Sequence, residues 1–328
     1  MNGKNGMDGN NGNDGNNGVN VNLLWVHGWG MSSRIWGDIS ALFPDFTHHY
    51  FSYEGCDTIE EVQASLRSKM NFIEGSWIII GWSLGSMLAL ELWMEQLEQG
   101  GNVYTGTSFI KAIVVIAGTL SFVDKERSRG WPKRSVERMK QQLALDPAGT
   151  LQQFTLSMFS DSDHQMQSFE ETKQWLLNNN ESNSNVSNRM ESNSNESNRM
   201  ESNNNESNSN ESNHIESNNN GLIGNDSHHN LTDFTNDLLH SGLTYLMETD
   251  LRERWANVSQ KLSLPIEKGA AKLLWLHGEN DPICPLGAMP ELPLINQTIF
   301  PQTGHLPFVM VPELFYERLR SFLDGYVF

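Results

Sequence analysis

The chain has 328 residues, a formal net charge of −18, and a hydrophobic share of 38% that reaches about 46% when its 27 glycines are included. This composition excludes a chain that is disordered throughout. The acidic balance argues against a nucleic-acid partner, which would require a basic surface. The two cysteines, Cys56 and Cys284, do not make a disulfide scaffold and indicate a reducing compartment. No leader-like start and no run of 18 apolar residues occur, so we expect a cytoplasmic protein that spans no membrane.

Two segments of biased composition interrupt the sequence. The first 21 residues are rich in Asn and Gly, and residues 178–220 contain 18 Asn, 11 Ser and 7 Glu among 43 residues. Neither can bury enough apolar surface to offset its ordering entropy, so we expect both to be disordered. We interpret the second as an expanded surface loop, with a partner-binding tract as the alternative. About 264 residues of ordinary composition remain, the length of a single α/β domain.

Strand and helix patterns alternate along the rest of the chain. Short apolar runs predict strands at residues 22–27, 49–53, 77–81, 111–117, 272–277 and 297–301. Helical spacing of apolar residues predicts helices at 58–71, 84–98 and 312–323, and the first begins with a capping box of Thr58 and Glu61. Strands that alternate with helices predict an α/β fold with a mainly parallel sheet and flanking helices.

Residues 119–248 break this alternation. They predict helices at 135–144, 150–159, 169–177 and 231–239 and no convincing strand. We interpret this segment as a helical lid that carries the Asn/Ser/Glu loop at 178–220. The lid divides a core made of residues 22–118 and 249–328, after a disordered tail at 1–21.

The strongest local motif is Gly81-Trp-Ser83-Leu-Gly85, which follows a predicted strand and opens a predicted helix. This Gly-x-Ser-x-Gly pattern is typical of a nucleophile elbow, a sharp turn from which a serine hydroxyl projects. In this context it predicts that Ser83 is a catalytic nucleophile, the alternative being a merely glycine-rich turn.

A nucleophilic serine requires a base and a carboxylate that orients it. His305 follows a predicted strand and precedes the last predicted helix, and Asp281 follows the strand at 272–277. The order Ser83, Asp281, His305 fits the Ser…Asp…His order of one group of hydrolases. Glu279 is the nearby alternative to Asp281, and Asp250 is a weaker one.

Two backbone N–H groups should stabilise the developing oxyanion. We expect one from Leu84, next to the nucleophile, and the other from Trp29 in the loop His27-Gly-Trp-Gly30. His27 and His277 each close a predicted strand and are interpreted as structural or oxyanion-loop residues. Neither histidine nor cysteine spacing suggests a metal site, and no loop is built for a phosphate cofactor, so we expect neither.

With these motifs the chain resembles the pimeloyl-[acyl-carrier protein] methyl ester esterases of biotin synthesis, which have the α/β-hydrolase fold. The elbow and the loop Leu24-Trp-Val-His-Gly-Trp-Gly30 are similar to those of the family. The lid adds segments in the family's order, namely Ser121-Phe122, Trp131-Pro132, Gln141-Gln-Leu143, Phe154 and Gly242-Leu-Thr-Tyr-Leu-Met-Glu-Thr-Asp-Leu-Arg252.

The resemblance implies a reaction and a set of residues. Ser83, Asp281 and His305 would form the catalytic triad, and Trp29 and Leu84 would contact the substrate carbonyl. The acyl channel would be lined by Phe154, Thr155, Leu156, Ser157 and Met158. The reaction would convert the methyl ester of pimeloyl-[acyl-carrier protein] to the free acid and methanol, without a cofactor and in a monomer.

The sequence departs from the family where its lid meets the carrier protein. Gly149 and Gln153 stand where two lid arginines are expected. A basic cluster occurs earlier, consisting of Lys125, Arg127, Arg129, Lys133, Arg134, Arg138 and Lys140. We hypothesise that this cluster binds the acidic carrier protein, the alternative being a solvated helix face.

Two other functions are weighed against this one. A generalist carboxylesterase or thioesterase could use the same scaffold, since one fold hosts many substrates. A non-catalytic binding module is the remaining alternative, and the intact set of Ser83, Asp281 and His305 argues against it.

Overall fold

Six parallel strands form one sheet in the computed structural model, which describes residues 21–100, 109–181, 233–262 and 272–326. The strands are β1 (Val21–Val26), β2 (Thr47–Tyr50), β3 (Ser76–Trp82), β4 (Phe109–Ile116), β5 (Lys272–Gly278) and β6 (Gln297–Phe300). They lie in the order β2-β1-β3-β4-β5-β6, and every neighbouring pair is parallel. The predicted parallel sheet and its six strands are confirmed.

The positions of the strands follow from burial. All residues of β1 and β3 are buried, as expected for continuous apolar runs near the centre of a sheet covered on both faces. Strand β2 lies at the edge and ends at Tyr50, earlier than the predicted 53. Phe51 and Tyr53 are nevertheless 2% and 0% exposed, so their apolar character reflects core packing after the chain leaves the sheet.

Helices cover the sheet, and five of the nine named below lie between β4 and β5. They are α1 (Ile59–Phe72), α2 (Leu84–Glu98), α3 (Lys133–Leu145), α4 (Pro147–Leu156), α5 (Phe169–Glu181), α6 (Asn236–Glu248), α7 (Arg252–Leu262), α8 (Pro307–Met310) and α9 (Pro312–Leu323). The capping box at Thr58 and Glu61 is present at the start of α1. No helix in the described part of the chain is long and apolar enough to cross a membrane.

Helices α4 and α6, both between β4 and β5, begin at other residues than predicted, and α7 in the same segment was not predicted. Helix α4 begins at Pro147, because Asp146 accepts a hydrogen bond from the Gly149 N–H as an N-cap and proline suits the first helical position. Helix α6 begins after Thr235, whose hydroxyl caps the Leu238 N–H at 3.1 Å, and it continues to Glu248. The predicted helix at 231–239 is therefore wrong at both ends.

The two segments predicted to be disordered lie outside the described residues except at their edges. Val21, assigned to the tail, is the first residue of β1. Helix α5 continues to Glu181, four residues into the Asn/Ser/Glu tract. Extending an existing helix costs far less than starting one, which explains why α5 continues past its last apolar residue.

The topology places several loops at one edge of the sheet. From β1 the chain adds β2 on one side and then crosses back to β3 on the other. In open α/β sheets such a reversal leaves a crevice beyond the carboxyl ends of the two strands. The loops after β1, β3, β5 and β6 carry Trp29, Ser83, Asp281 and His305 respectively.

Candidate active site

Ser83 lies in a strained turn between β3 and α2. Its backbone has φ 56° and ψ −119°, a left-handed conformation that is unusual for a residue with a side chain. A Cβ atom on Gly85 would lie 2.2 Å from the Val26 carbonyl oxygen, and one on Gly81 would lie 2.5 Å from the Gly85 carbonyl oxygen. Both glycines are therefore needed for the close approach of β1, β3 and α2, and Ser83 itself is partly exposed.

His305 and Asp281 form a buried pair. The distance from His305 Nδ1 to Asp281 Oδ2 is 2.8 Å, and both side chains are fully buried. The other carboxylate oxygen, Oδ1, accepts hydrogen bonds from the backbone N–H groups of Ile283 and Cys284, each at 2.8 Å. With three such bonds the carboxylate is fixed in orientation, and it holds the proton of His305 on Nδ1.

The second ring nitrogen of His305 has no partner in the described part of the chain. Nε2 is buried and forms no hydrogen bond with any described residue, including Ser83. Trp82, the neighbour of Ser83, donates from its indole nitrogen to the His305 carbonyl oxygen at 3.0 Å, which links the elbow to the histidine loop. Catalytic hydrogen bonds often tighten only once substrate is bound, so the geometry is compatible with a base acting on Ser83.

The two alternative carboxylates do not contact His305. Glu279 is exposed and accepts a hydrogen bond from the Gln302 N–H at 3.0 Å. Asp250 is also exposed and forms an ion pair with Arg252. Of the three carboxylates considered from the sequence, the structure brings only Asp281 to the imidazole.

The loop after β1 lies against Ser83. A Cβ atom on Gly28 would lie 3.1 Å from the Cβ of Ser83. The Trp29 side chain is 1% exposed, donates from Nε1 to the Leu239 carbonyl oxygen of α6 at 2.9 Å, and packs edge-on against Phe154. The backbone N–H groups of Trp29 and Leu84 donate to no other described residue. They are thus available to a substrate oxygen.

His27 and Asp233 form a second histidine–carboxylate contact, beneath that loop. His27 is fully buried, with Nδ1 3.1 Å from the Gly28 carbonyl oxygen and Nε2 3.2 Å from Asp233 Oδ2. Burial disfavours ionisation of Asp233, but its hydrogen bonds and the nearby imidazole outweigh this effect and lower the pKa of Asp233 below 3.8. Asp233 was not singled out from the sequence, because its partner lies 206 residues away.

His277 supports the Asp281 loop. Its Nδ1 accepts a hydrogen bond from the Trp275 indole at 3.3 Å, so Nε2 carries the proton and donates to the Cys284 carbonyl oxygen at 2.7 Å. Burial lowers the pKa of His277 below 6.5, although the Asp281 carboxylate opposes this shift. A neutral His277 therefore holds the turn whose N–H groups bind Asp281.

The five residues expected to line the acyl channel divide into two groups. Phe154 and Met158 lie four positions apart and reach the site: Phe154 packs on Trp29, and the Met158 carbonyl oxygen accepts from the His305 N–H at 3.0 Å. The Thr155 and Ser157 hydroxyls donate to carbonyl oxygens of their own segment, and Leu156 is 39% exposed. Phe154 lies on the buried face of α4, Leu156 is the last residue of that helix, and Met158 follows its C-cap Ser157 and reaches the site through its backbone carbonyl.

The described residues contain no group of three or more His, Cys, Asp or Glu side chains that could hold a metal ion. The loops and the helix start that follow β1, β3, β5 and β6 provide a strained serine, an oriented imidazole and two backbone N–H groups that have no partner among the described residues. These are the parts required for nucleophilic attack on a carbonyl carbon.

Comparison with known sequences gives one consistent result. A model of the alpha/beta hydrolase family matches residues 23–318. The chain is 23% identical over 311 residues to a pimeloyl-[acyl-carrier protein] methyl ester esterase of Nitrosomonas europaea, covering 90% of this chain and 92% of the relative. It is 22% identical to the enzyme of the same name from Vibrio vulnificus, covering 92% of this chain and 93% of the relative. The resemblance expected from the motifs is confirmed.

Solved structures share the fold at lower identity. An esterase from Exiguobacterium antarcticum superposes with a TM-score of 0.59 and 13% identity, covering 94% of this chain and 93% of that one. A bromoperoxidase from Bacillus anthracis superposes with a TM-score of 0.57 and 15% identity, covering 94% of this chain and 93% of that one. With the sheet order, the elbow and the family match over residues 23–318, these comparisons establish that the chain belongs to the alpha/beta hydrolase family.

Proposed function

We propose that this hydrolase is a serine carboxylesterase that cleaves the methyl ester of pimeloyl-[acyl-carrier protein], releasing methanol and a free carboxylate for biotin synthesis. The observation that carries the proposal is the buried 2.8 Å contact of His305 with Asp281, in a loop that the Trp82 indole joins to the strained turn of Ser83. The names of the relatives from Nitrosomonas europaea and Vibrio vulnificus support the choice of substrate.

The catalytic cycle has two halves. The Ser83 hydroxyl oxygen attacks the ester carbonyl carbon while His305 Nε2 accepts the hydroxyl proton. The tetrahedral intermediate collapses, His305 returns the proton to the methoxy oxygen, and methanol leaves an acyl-Ser83 ester. Water then attacks this ester with His305 again as the base, which releases the carboxylic acid and restores the serine.

A carboxylate and a pair of backbone N–H groups would lower the activation barriers of both acylation and deacylation. Asp281 keeps the Nδ1 proton of His305 in place and stabilises the imidazolium that forms at each attack. The N–H groups of Trp29 and Leu84 would donate to the oxyanion, and one such donor is worth about 3 kcal/mol in comparable sites.

The carrier protein is proposed to bind at the basic cluster. Lys125, Arg127, Arg129, Lys133, Arg134 and Arg138 are exposed and form no ion pair with described residues, whereas the partly buried Lys140 donates to Thr244. A cleft of about 340 Å³ connects this surface to the Asp281 loop, since Arg127 and Trp131 line it together with Pro282 and Pro285. In a chain of net charge −18, such a patch would steer an acidic partner toward the site.

We further propose a monomer in the cytoplasm. Cys56 and Cys284 are both free and buried, which suits a reducing compartment. No nucleic-acid or membrane partner enters the proposal.

A generalist esterase or thioesterase is the second candidate function. The low identity to the named relatives, 22–23%, supports keeping it. A generalist would hydrolyse short methyl esters or thioesters with no preference for a carrier-bound pimeloyl chain.

The test measures methanol release from the methyl ester of pimeloyl-[acyl-carrier protein], together with rescue of a biotin-requiring strain that lacks its methyl ester esterase. We expect the parent protein to release methanol and to rescue growth, and Ser83→Ala to do neither. A parent that hydrolyses small esters but does not rescue growth would favour the generalist. An inactive, folded parent would favour a binding module.

The docking surface needs its own variants. Arg134→Glu with Arg138→Glu should raise KM for the carrier-bound substrate and leave the hydrolysis of a free small methyl ester unchanged. Equal effects on both substrates would contradict carrier binding at this surface.

A further inference from the structure

A short stretch after α4, residues 158–163, contacts the loops that carry both Asp281 and His305. Within it, Asp163 is 0% exposed and has no ion-pair partner among the described residues. A buried carboxylate is costly unless donors surround it. The hydrogen-bond donors around Asp163 therefore indicate which part of the structure its carboxylate stabilises.

Asp163 binds the residue next to His305. Its Oδ1 accepts a hydrogen bond from the Gly304 N–H at 3.3 Å. Its Oδ2 accepts from both the N–H and the hydroxyl of Ser160, at 2.7 and 2.8 Å, and the Asp163 N–H donates back to the Ser160 hydroxyl at 3.1 Å. Ser160 thus fixes the carboxylate, and the carboxylate fixes Gly304.

Two further bonds join the same stretch to the catalytic loops. The Met158 carbonyl oxygen accepts from the His305 N–H at 3.0 Å. The Ser162 hydroxyl accepts from the Asn280 side-chain amide at 3.0 Å, one residue before Asp281. Three residues of this stretch, Met158, Ser162 and Asp163, therefore form hydrogen bonds with His305 itself and with the residue preceding each member of the His–Asp pair.

The packing around the histidine loop leaves no room for a side chain at Gly304. A Cβ atom on Gly304 would lie 2.3 Å from Asp163 Oδ2, 2.8 Å from the Met158 oxygen and 2.9 Å from the Ser160 nitrogen. On the other side, a Cβ on Gly278 would lie 2.0 Å from the Gly304 oxygen. The loop is held between the end of β5 and the stretch 158–163.

We propose that Asp163, oriented by Ser160, is a positioning residue that sets the His305 loop so that the imidazole reaches Ser83. The inference rests on the proposed role of His305 as the base. Asp163 does not touch the reacting atoms, so its loss should lower kcat and leave substrate binding nearly unchanged. A misplacement of about 1 Å in a catalytic group can cost about 10²-fold in rate.

The variants are Asp163→Ala, Asp163→Asn and Ser160→Ala, each compared with the parent by kcat and KM on a small methyl ester and by thermal unfolding. We expect Asp163→Ala to lower kcat about 10²-fold with KM within about 3-fold. Asp163→Asn keeps one acceptor oxygen, and Ser160→Ala keeps the carboxylate. The kcat of each variant should therefore lie between that of the parent and that of Asp163→Ala.

Glu91→Gln is the matched control. Glu91 on α2 is also a largely buried carboxylate, and it accepts from the Tyr245 hydroxyl of α6 at 2.6 Å and from Gln63 at 2.7 Å. It contacts neither catalytic loop, so its replacement should not change kcat. If Glu91→Gln lowers kcat as strongly as Asp163→Ala, the effect is general loosening and the proposal is overturned.

A readout independent of turnover separates this inference from the proposed function. The Nδ1 proton of His305 should give a downfield NMR resonance that disappears in Asp281→Asn and shifts or broadens in Asp163→Ala. If the parent lacks esterase activity while Asp163→Ala still perturbs this resonance, the proposed function fails and the positioning role stands. If the parent is active and Asp163→Ala changes neither kcat nor the resonance, the positioning role fails.

Discussion

The turn that carries Ser83 and the loop that carries His305 are fixed in different ways. Ser83 is held by its own motif, because a Cβ atom on Gly81 or on Gly85 would lie 2.5 or 2.2 Å from a backbone carbonyl oxygen, so neither position accepts a side chain. The His305 loop is held by hydrogen bonds that its N–H groups donate to Met158 and Asp163, and Asp163 lies 141 residues earlier than Gly304, from which it accepts.

Because of this difference, the turn at Ser83 and the loop at His305 should respond differently to substitutions elsewhere in the chain. The elbow depends on sterics within β1, β3 and α2, so changes between β4 and β5 should leave it intact. The position of His305 depends on the segment between β4 and β5. It should therefore respond to substitutions at residues that do not contact the substrate. The predictions below separate these two kinds of dependence.

Removal of the nucleophile should give the largest effect. We expect Ser83→Ala to lower kcat/KM for methyl esters by about 10⁴-fold or more, because no other group can form the acyl-enzyme. Ester hydrolysis by the purified variant checks this. Ser259→Ala is the control and should retain full activity, since among the described residues the Ser259 hydroxyl bonds only to the Ala256 carbonyl of its own helix. An active Ser83→Ala variant would rule out the elbow as the source of the nucleophile.

The orienting carboxylate should come next. Asp281→Asn should lower kcat by about 10³- to 10⁴-fold, since an amide no longer selects the Nδ1–H tautomer of His305. Glu279→Gln and Asp250→Asn are the matched controls, because neither carboxylate contacts the imidazole. Steady-state kinetics of the three variants decide the assignment, which would be wrong if either control lost as much activity as Asp281→Asn.

The steric basis of the elbow predicts a loss of stability. Gly85→Ala should lower the free energy of unfolding by about 3 kcal/mol, because the new Cβ meets the Val26 carbonyl oxygen of a central strand. Gly37→Ala is the comparison: Gly37 has φ 52° but nothing within 4 Å of its added Cβ. It should cost only about 1 kcal/mol of backbone strain. Urea unfolding of both variants measures the difference, and equal losses would contradict a steric requirement at Gly85.

The Asp281 loop predicts a pH dependence of stability. Burial lowers the pKa of His277 below 6.5, so on acidification the unfolded chain binds a proton before the folded chain does. The contribution of His277 is therefore present above about pH 6.5 and is lost as the pH falls, by at most about 1.4 kcal/mol per pH unit. His277→Gln keeps an amide donor for the Cys284 carbonyl and does not titrate. Unfolding curves between pH 5 and 8 should show a flatter profile for the variant, and parallel profiles would refute the assignment.

The smallest expected effect concerns the Asn/Ser/Glu tract. Deletion of residues 179–219 should leave hydrolysis unchanged, since every proposed catalytic residue and the stretch 158–163 lie outside it. Kinetics of the deleted and full chains measure this. Loss of activity in a deleted chain that still folds would show that the tract is not a dispensable loop.

The sequence was sufficient for the features that arise from local patterns. Apolar runs marked all six strands, and the spacing of Gly81, Ser83 and Gly85 marked the elbow, because these signals come from neighbouring residues. Asp281 and His305 were chosen because each follows a predicted strand, and in the structure their side chains form a contact.

The sequence did not reveal features that depend on distant contacts. Asp163 and Asp233 are single acidic residues in a polar segment, and their partners Gly304 and His27 lie 141 and 206 residues away. The neutral state of His277 depends on its burial beside Cys284 and Trp275. The spacing of apolar residues in the sequence does not predict this environment. The start of α6 was missed because the Thr235 cap lies inside a run of polar residues.

The most direct test of the account is covalent labelling with a fluorophosphonate, which reacts with activated serine hydroxyls and mimics the tetrahedral intermediate. We predict one label per molecule, located on Ser83 by peptide mass spectrometry, with labelling slowed by about 10²-fold or more in His305→Ala and to a lesser degree in Asp163→Ala. A folded parent that takes no label, or a label on any other residue, would contradict the account.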